Sequence, residues 1–344
     1  MSLQHSLKIA LFALSLTSTH PLFAAPQSIS TGQIADTEVR HIATYFPGRM
    51  AGSPAEMMAA EYLKERFRQM GYPNNIRTFN TRYIYISQNG QKVWRNITPS
   101  TVIAAKVGHQ KKQIVLLTHY DTYTPLSDKD IDDGLGGLSF QGINDNAASV
   151  GVMLELAEHL RQYTTDYTIK FIVLSGEEVG GKGIENYIKK MSSVEAQNTQ
   201  LVINLDTLIA GDKLALNTLS KPSAPLAKEA RLKAMAQAHQ NGIPIIDLSS
   251  SHTYCANNKA HSALMTDIAQ AGLPILAITS ANKRTSAQKT CQIPPFSHQG
   301  ENDSLAYFEK NYPGQINKRN RDTVRILLPV VLELAGGNKS ASKG

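Results

Sequence analysis

The sequence predicts an α/β fold, a mostly parallel mixed central sheet flanked by helices in a single domain. Two observations carry this expectation. From residue 114 onward, short apolar runs of strand length alternate with segments whose apolar residues recur at helical spacing. The polar residues able to do chemistry then fall just past the ends of those runs, as His119-Tyr120-Asp121, Glu177-Glu178 and Asp206. In open α/β sheets, ligands bind in the crevice beyond the carboxyl ends of the strands.

Ser53-Pro54 supplies the start of a helix over 55–71, with Met58, Tyr62, Phe67 and Met70 as its apolar residues and Gly71 as its stop. Residues 83–86 and 93–97 flank Asn89-Gly90 and read as a hairpin at an antiparallel edge. Strands are expected over 101–105, 114–118, 169–175, 201–205, 243–248 and 274–279. Helices are expected over 147–161, 184–191, 227–240, 264–271 and 320–334. Residues 124–143 and 281–300 are long connections rich in turn formers, and connections of this length often wall an active site.

At 344 residues and 42% hydrophobic, the chain can bury one large core, which sets it apart from disordered sequences. Residues 1–25 read as a cleaved secretory signal: Lys8 precedes an apolar run over 9–16, and the small residues Ala24-Ala25 follow. That run is shorter than the roughly 20 residues a membrane span requires. The expectation is a periplasmic or extracellular protein with no membrane span. Cys255 and Cys291 are the two cysteines, and an oxidising compartment favours a disulfide between them over two free thiols.

The formal charge is +7, or +6 once Lys8, the one charged side chain of residues 1–25, is removed. Lys318-Arg319, Arg321 and Arg325 cluster but lack the aromatics or module of a nucleic-acid footprint, so they read as a solvated helix face. Asn96-Ile97-Thr98 and Asn302-Asp303-Ser304 fit the glycosylation pattern, which is short enough to arise by chance.

Glu177-Glu178 at the mouth of an apolar strand is the strongest chemical signal. Two adjacent carboxylates repel each other and lose hydration there, which calls for a cation. His119 and Asp121 suit a metal-binding imidazole with a carboxylate that fixes its tautomer, although a surface His beside a turn Asp would also give this pattern. Asp145 stands just before a helix, where N-capping alone would account for it. Asp206 ends an apolar strand, where an unpartnered charge is costly.

These residues bring out a resemblance. The His-x-Asp at His119, Gly142-Ile-Asn-Asp145-Asn-Ala-Ala148, Ser175-Gly-Glu-Glu178 and Asn204-Leu-Asp206 occur in the order found in the secreted co-catalytic di-zinc aminopeptidases. The chain resembles this family from about Asp36 to Leu334, including 40–50, 77–85 and Gly151-Val-Met-Leu-Glu-Leu-Ala-Glu158. The resemblance implies that residues 26–344 form one zinc aminopeptidase domain binding two zinc ions. His119, Asp145 and Asp206 would hold one ion, and Asp145 would bridge to a second held by Glu178 and a late histidine. Asp121 would orient His119, and Glu177 would be the general base.

His252, His261 and His298 all remain open as the late ligand by spacing. Similarity of Pro294-Pro-Phe-Ser-His298, followed by Asp303 and Tyr312-Pro-Gly314, favours His298. Where many members carry Ser-Asp-His, this chain has Ala263-Leu264-Met265, and Tyr254 is the candidate for polarising the substrate carbonyl. The implied substrates are peptide or protein N-termini, including an N-terminal arginine removed from alkaline phosphatase. Alternatives are a carboxypeptidase or single-zinc glutaminyl cyclase on the same fold, or a catalytically inactive binding homologue.

Overall fold

The structure, a computed structural model, describes residues 30–219, 225–251, 253–256, 259–283, 300 and 302–339, without the side chains of 259–262. Helices α1 (Gln33–Tyr45) and α2 (Pro54–Gln69) lead into strands β1 (Asn74–Thr78), β2 (Thr81–Ile86), β3 (Lys92–Ile97), β4 (Ser100–Lys106) and β5 (Gln113–His119). Next come the short helix α3 (Asp128–Asp132), a π-type turn (Ile143–Ala147), α4 (Ala148–Leu160), β6 (Tyr163–Thr164), β7 (Thr168–Leu174), α5 (Lys182–Lys190) and α6 (Ser193–Asn198). The remainder comprises β8 (Thr199–Leu205), β9 (Lys213–Thr218), α7 (Pro225–Gln240), β10 (Ile245–Asp247), β11 (Tyr254–Ala256), α8 (Lys259–Gln270), β12 (Ile275–Lys283), α9 (Leu305–Asn311), α10 (Gln315–Leu334) and β13 (Asn338–Lys339).

One nine-stranded sheet runs in the order β1-β4-β7-β5-β8-β12-β9-β10, with β11 paired to β12. Its central strands β7, β5, β8 and β12 are mutually parallel, while β4 against β7 and β9 against β12 are antiparallel. Helices cover both faces. Ile114 and Leu116 of β5 face a layer drawn from α1, α2, α4, α7 and α10, whereas Val115 and Leu117 face α5 and α8. Burial on both sides makes β5 a continuous apolar run, as expected of a parallel strand in the interior of a sheet.

The expected hairpin forms, but not at the edge of the main sheet. β2 and β3 form a separate two-stranded ribbon, and the antiparallel edge of the main sheet is instead β1 on β4. α2 buries Phe67 and Met70 and half-buries Tyr62 as expected, adds Ala59, Ala60 and Leu63 to that face, and leaves Met58 59% exposed. Small alanines let α2 pack close, so its apolar pattern understates its buried stripe. Leu264 and Met265, where many of the aminopeptidases carry polar residues, are buried in the α5/α8 layer and serve packing. The basic cluster divides, because Arg319 is buried and donates to the Gly211 carbonyl at 2.8 Å, while Lys318 and Arg325 stay exposed.

α1 escapes the pattern of large apolar residues, since it packs through Ala35, Val39, Ile42 and Ala43. Two features of α4 hold it. A side chain at Gly151 would stand 2.7 Å from the Ala35 carbonyl oxygen, so glycine allows the close approach. Glu155, fully buried, accepts from the backbone amides of Gly32 and Ala35 at 2.5 and 2.8 Å, placing a carboxylate at the positive end of α1.

A second buried carboxyl ties α2 to the sheet. Ser53 accepts from the Glu56 amide at 3.1 Å and caps the helix, while the Glu56 side chain accepts from the Tyr120 hydroxyl at 2.7 Å and the Ser100 amide at 2.8 Å. Burial pushes the Glu56 carboxyl from the ordinary 4.5 up to about 7, against the pull of those donors. The folded protein therefore holds a proton there that the unfolded chain releases, and stability falls as pH rises from 4.5 to 7. At about 1.4 kcal/mol per pKa unit, the loss amounts to roughly 3 kcal/mol. Glu56→Gln mimics the protonated form. It should leave urea stability near wild type at pH 5 and exceed wild type by pH 8, and parallel pH profiles for the two proteins would refute the assignment.

Candidate metal centre

Parallel pairing brings three strand ends to one edge. His119 closes β5 opposite Leu174 of β7, and Leu117 pairs with Asn204 of β8. The chain continues from β7 into Ser175-Gly176-Glu177-Glu178 and from β8 into Asp206.

His119 Nε2 lies 3.0 Å from Asp145 Oδ1 and 3.7 Å from Asp206 Oδ1, with all three side chains buried. One donor atom from each lies within 4.8 Å of the others, the sole such His/Cys/Asp/Glu cluster among the described residues. Burial opposes a charge on His119, but Asp121, Asp145 and Asp206 outweigh it and raise its pKa well above the ordinary value. This environment demands positive charge at the Nε2 side. An imidazole and two carboxylates converging in a dry crevice suit zinc.

The other imidazole nitrogen faces Asp121, with His119 Nδ1 3.4 Å from Asp121 Oδ1. Asp121 Oδ2 accepts from the amides of Gly176 and Glu178 at 3.0 Å each. One buried carboxylate thus fixes both the imidazole and the turn that carries the glutamates.

Asp145 is not a helix cap. It sits inside the π-type turn with non-helical backbone, its bond to Asn146 is cis, and α4 begins at Ala148 without a side-chain cap. Asn144 and Asn146 pin this turn to the segment after β8. Asn144 Oδ1 accepts from Ile209 and Ala210 at 3.0 and 2.9 Å, and Asn146 Oδ1 accepts from Thr207 at 3.2 Å. Asn146 Nδ2 donates to Thr118 Oγ1 at 3.0 Å. Thr207, beside Asp206, takes a positive φ of 49°, a strained conformation for a β-branched residue. Its hydroxyl contacts Thr279 Oγ1 at 2.8 Å, and Ser280 Oγ donates to its carbonyl at 2.5 Å.

Two residues that the sequence does not single out as site residues position this turn. Asp303, in the sequence the middle of a glycosylation triplet and a residue of the segment resembling the family after His298, is buried and accepts from the amides of Asn144 at 2.6 Å and Asp145 at 3.0 Å. Arg49, also fully buried, donates to the carbonyls of Tyr120, Gln141 and Gly142 at 2.5, 2.6 and 2.9 Å, clamping the end of β5 to the Asp145 turn. Gly142 has φ 55°, and a side chain there would stand 2.5 Å from the Asp145 carbonyl. Both fall in segments that resemble the family, Arg49 within 40–50 and Asp303 after His298, but nothing in the sequence ties either of them to the Asp145 turn.

Glu177 and Glu178 are held differently. Glu177 Oε1 accepts from the Ile184 amide at 2.7 Å, and a side chain at Gly183 would stand 2.7 Å from that oxygen. Burial first, then repulsion from Asp121 and Asp206, push the Glu177 carboxyl up to about 8 against the pull of His119. Burial and the charge of Asp145 raise Glu178 well above the carboxylate range. Glu178 stands outside the tight His119–Asp145–Asp206 group.

His298, His252 and Cys291 lie outside the described residues, as does the His261 side chain. Cys255 is buried on β11 and disulfide-bonded. Tyr254 sits with its ring centroid 5.5 Å from Lys213 Nζ.

Removing the Asp303 carboxylate leaves two buried amides without their acceptor and frees the Asp145 backbone. Loss of a group supporting a ligand usually weakens metal binding about 10-fold to 100-fold. Asp303→Ala should show that loss in a zinc-chelator competition, and unchanged affinity would deny Asp303 a role in placing Asp145.

Comparison with known proteins agrees with this architecture. Residues 101–314 match peptidase family M28. The chain is 44% identical to the alkaline phosphatase isozyme conversion protein of Escherichia coli (strain K12), over 95% of this chain and 97% of that protein. A zinc aminopeptidase from Bacillus subtilis shares the fold with a TM-score of 0.65 at 15% identity, covering 91% of this chain and 97% of the other. Porphyromonas gingivalis glutaminyl cyclase does so at 0.63 and 17% identity, covering 89% and 99%. With the family matched over most of the sheet and its strand-end residues, the chain belongs to peptidase family M28.

Proposed function

We propose that the protein is an exported di-zinc aminopeptidase that removes the first residue from peptides or proteins. The observation carrying this reading is the convergence of His119, Asp145 and Asp206 beside Glu177-Glu178 at one strand edge. His119, Asp145 and Asp206 would hold one zinc ion, and Asp145, Glu178 and His298 the second. Zinc bound there polarises the substrate carbonyl and makes a water acidic enough to give up a proton near neutral pH.

Glu177 then takes the proton of the attacking water and returns it to the departing amine. Its tether to the Ile184 amide leaves the second carboxylate oxygen for this task. The raised pKa of Glu177 suits a group that must both accept and release a proton near neutrality. Asp121 would keep the His119 ring oriented, with Nε2 left beside Asp145 and Asp206 to hold zinc.

For the substrate, the similarity to the isozyme conversion protein supports removal of N-terminal arginine from alkaline phosphatase. A basic side chain would want an acidic pocket, but the loop carrying Asp128, Asp130, Asp132 and Asp133 offers it little. Asp128 accepts from the Tyr85 hydroxyl and the Gln88 amide, Asp130 from the Tyr123 hydroxyl and the Leu126 amide, and Asp133 from Lys129. Asp132 is the one carboxylate of that loop with no such engagement among the described residues. Glutaminyl cyclase activity is the second reading, favoured by the shared fold. Export agrees with a disulfide at Cys255, for which Cys291 is the proposed partner, and with a periplasmic home. Among the described residues no helix is long and apolar enough to cross a membrane.

A panel of aminoacyl chromogenic substrates, assayed with chelator and then with zinc restored, tests this reading. We expect cleavage that chelation abolishes and zinc restores, with the arginine derivative preferred. Glu177→Gln should lower kcat by about 100-fold to 10,000-fold and retain two zinc ions per chain by elemental analysis. Near-normal turnover by that variant would remove Glu177 as the base, and indifference of wild type to chelator would overturn the whole proposal.

A further inference from the structure

The β2–β3 ribbon stands apart from the main sheet and has two unlike faces. Pairing of Arg82 with Asn96, Ile84 with Trp94 and Ile86 with Lys92 puts these six residues on one face, all of them exposed. Ile84 is 39% exposed, Ile86 42% and Trp94, the only tryptophan of the chain, 53%. The Arg82 guanidinium lies over the Trp94 ring, 4.3 Å from its centroid. Exposed tryptophan and arginine with aliphatic neighbours are the residue types that dominate protein-binding surfaces.

Charge says what would cover this face. From Arg66 to Tyr120 the sequence contains no Asp or Glu, and Arg82 and Lys92 flank Ile84, Ile86 and Trp94 on this face, with Arg95 on the other. The acid that bonds to the ribbon, Asp128, is engaged on the opposite face, where Tyr85 donates to it and Arg95 lies 5.2 Å from the Tyr85 ring centroid. The exposed face is therefore positive charge around an apolar, aromatic centre.

Position says which process it serves. Ile86 donates to the Leu126 carbonyl at 2.9 Å, so the ribbon is fastened to the loop between Tyr123 and Ile143 that leads into the Asp145 turn. At its base, a side chain at Gly176 would stand 3.5 Å from the Phe79 ring, which places the ribbon beside the Glu177-Glu178 turn. We infer that this face is a docking site for an acidic, apolar-rich stretch of polypeptide in the substrate, downstream of the N-terminus being trimmed. This rests on the aminopeptidase reading and deepens it: the preferred substrates are proteins or long peptides with acidic segments.

Trp94 supplies a readout independent of catalysis. A short N-acetylated peptide alternating Glu and Leu, which cannot be trimmed, should shift the fluorescence of the full-length protein saturably, and high salt should abolish the shift. Arg82→Glu combined with Lys92→Glu should weaken this binding about tenfold or more. The same variant should raise KM for an unblocked peptide carrying the acidic segment, with turnover of aminoacyl chromogenic substrates unchanged. Equal binding of the Lys/Leu counterpart, binding to anionic vesicles in place of the acidic peptide, or full retention by the charge-reversed variant would each overturn the inference. If chromogenic substrates are not cleaved at all, the aminopeptidase reading fails, while the fluorescence titration still decides whether the face binds acidic polypeptide.

Discussion

Crowding of like charge around one imidazole is the constraint on which this structure depends. Asp121, Asp145, Asp206 and Glu178 are all buried beside His119, with Glu177 partly covered next to them. Brought together in a low-dielectric crevice, such groups would protonate or push apart. What holds them is backbone. Three parallel strands fix the positions from which the carboxylates depart, and the amides of Gly176, Glu178, Asn144, Asp145 and Ile184 are aimed at carboxylate oxygens. A cation completes the balance that amide dipoles begin.

The Asp145 turn shows how much surrounding structure one buried carboxylate requires. Its backbone is neither helix nor strand, so no regular element places Asp145. Asp303 grips its amides, Arg49 grips the carbonyls just before it, and Asn144 and Asn146 fasten it to the segment after β8. Arg49 is itself buried among carbonyls, which stabilise its charge where water is absent. Burial pulls its pKa down to about 10, with Asp303 and Asp121 opposing, so it remains cationic at any physiological pH. The supports act together, because removing one would leave a buried donor or acceptor unpaired at its full desolvation cost.

The sequence disclosed those parts whose physics is local. Apolar runs of strand length marked β5, β7, β8 and β12, and the polar residues immediately after them marked the site, because strand ends and crevice coincide in this topology. It concealed the parts that depend on tertiary partners. α1 packs through small residues against Gly151 and is capped by Glu155 from another helix, so its own pattern is weak. β9 runs against β12 in the antiparallel sense, breaking the strand–helix alternation of the central strands. Asp145 resembles a cap in the sequence because a helix does begin nearby, and only the intervening π-type turn shows that its carboxylate is directed elsewhere. Arg49 and Asp303 act on backbone atoms of distant segments, which no motif of side chains encodes.

The same logic separates the two surfaces of the molecule that would meet a substrate. Around His119, stiffness is required, since carboxylates packed this closely keep their geometry only if every support is fixed. The β2–β3 ribbon is built on the opposite principle: one turn, a stack of arginine on tryptophan, and a few hydrogen bonds to the loop below. An aminopeptidase whose centre reads just the first residue gains little discrimination between proteins from that centre. A basic, aromatic face at the rim adds recognition of residues farther along the substrate without disturbing the charge balance inside, because screening by water separates the exposed cations of the ribbon from the buried carboxylates.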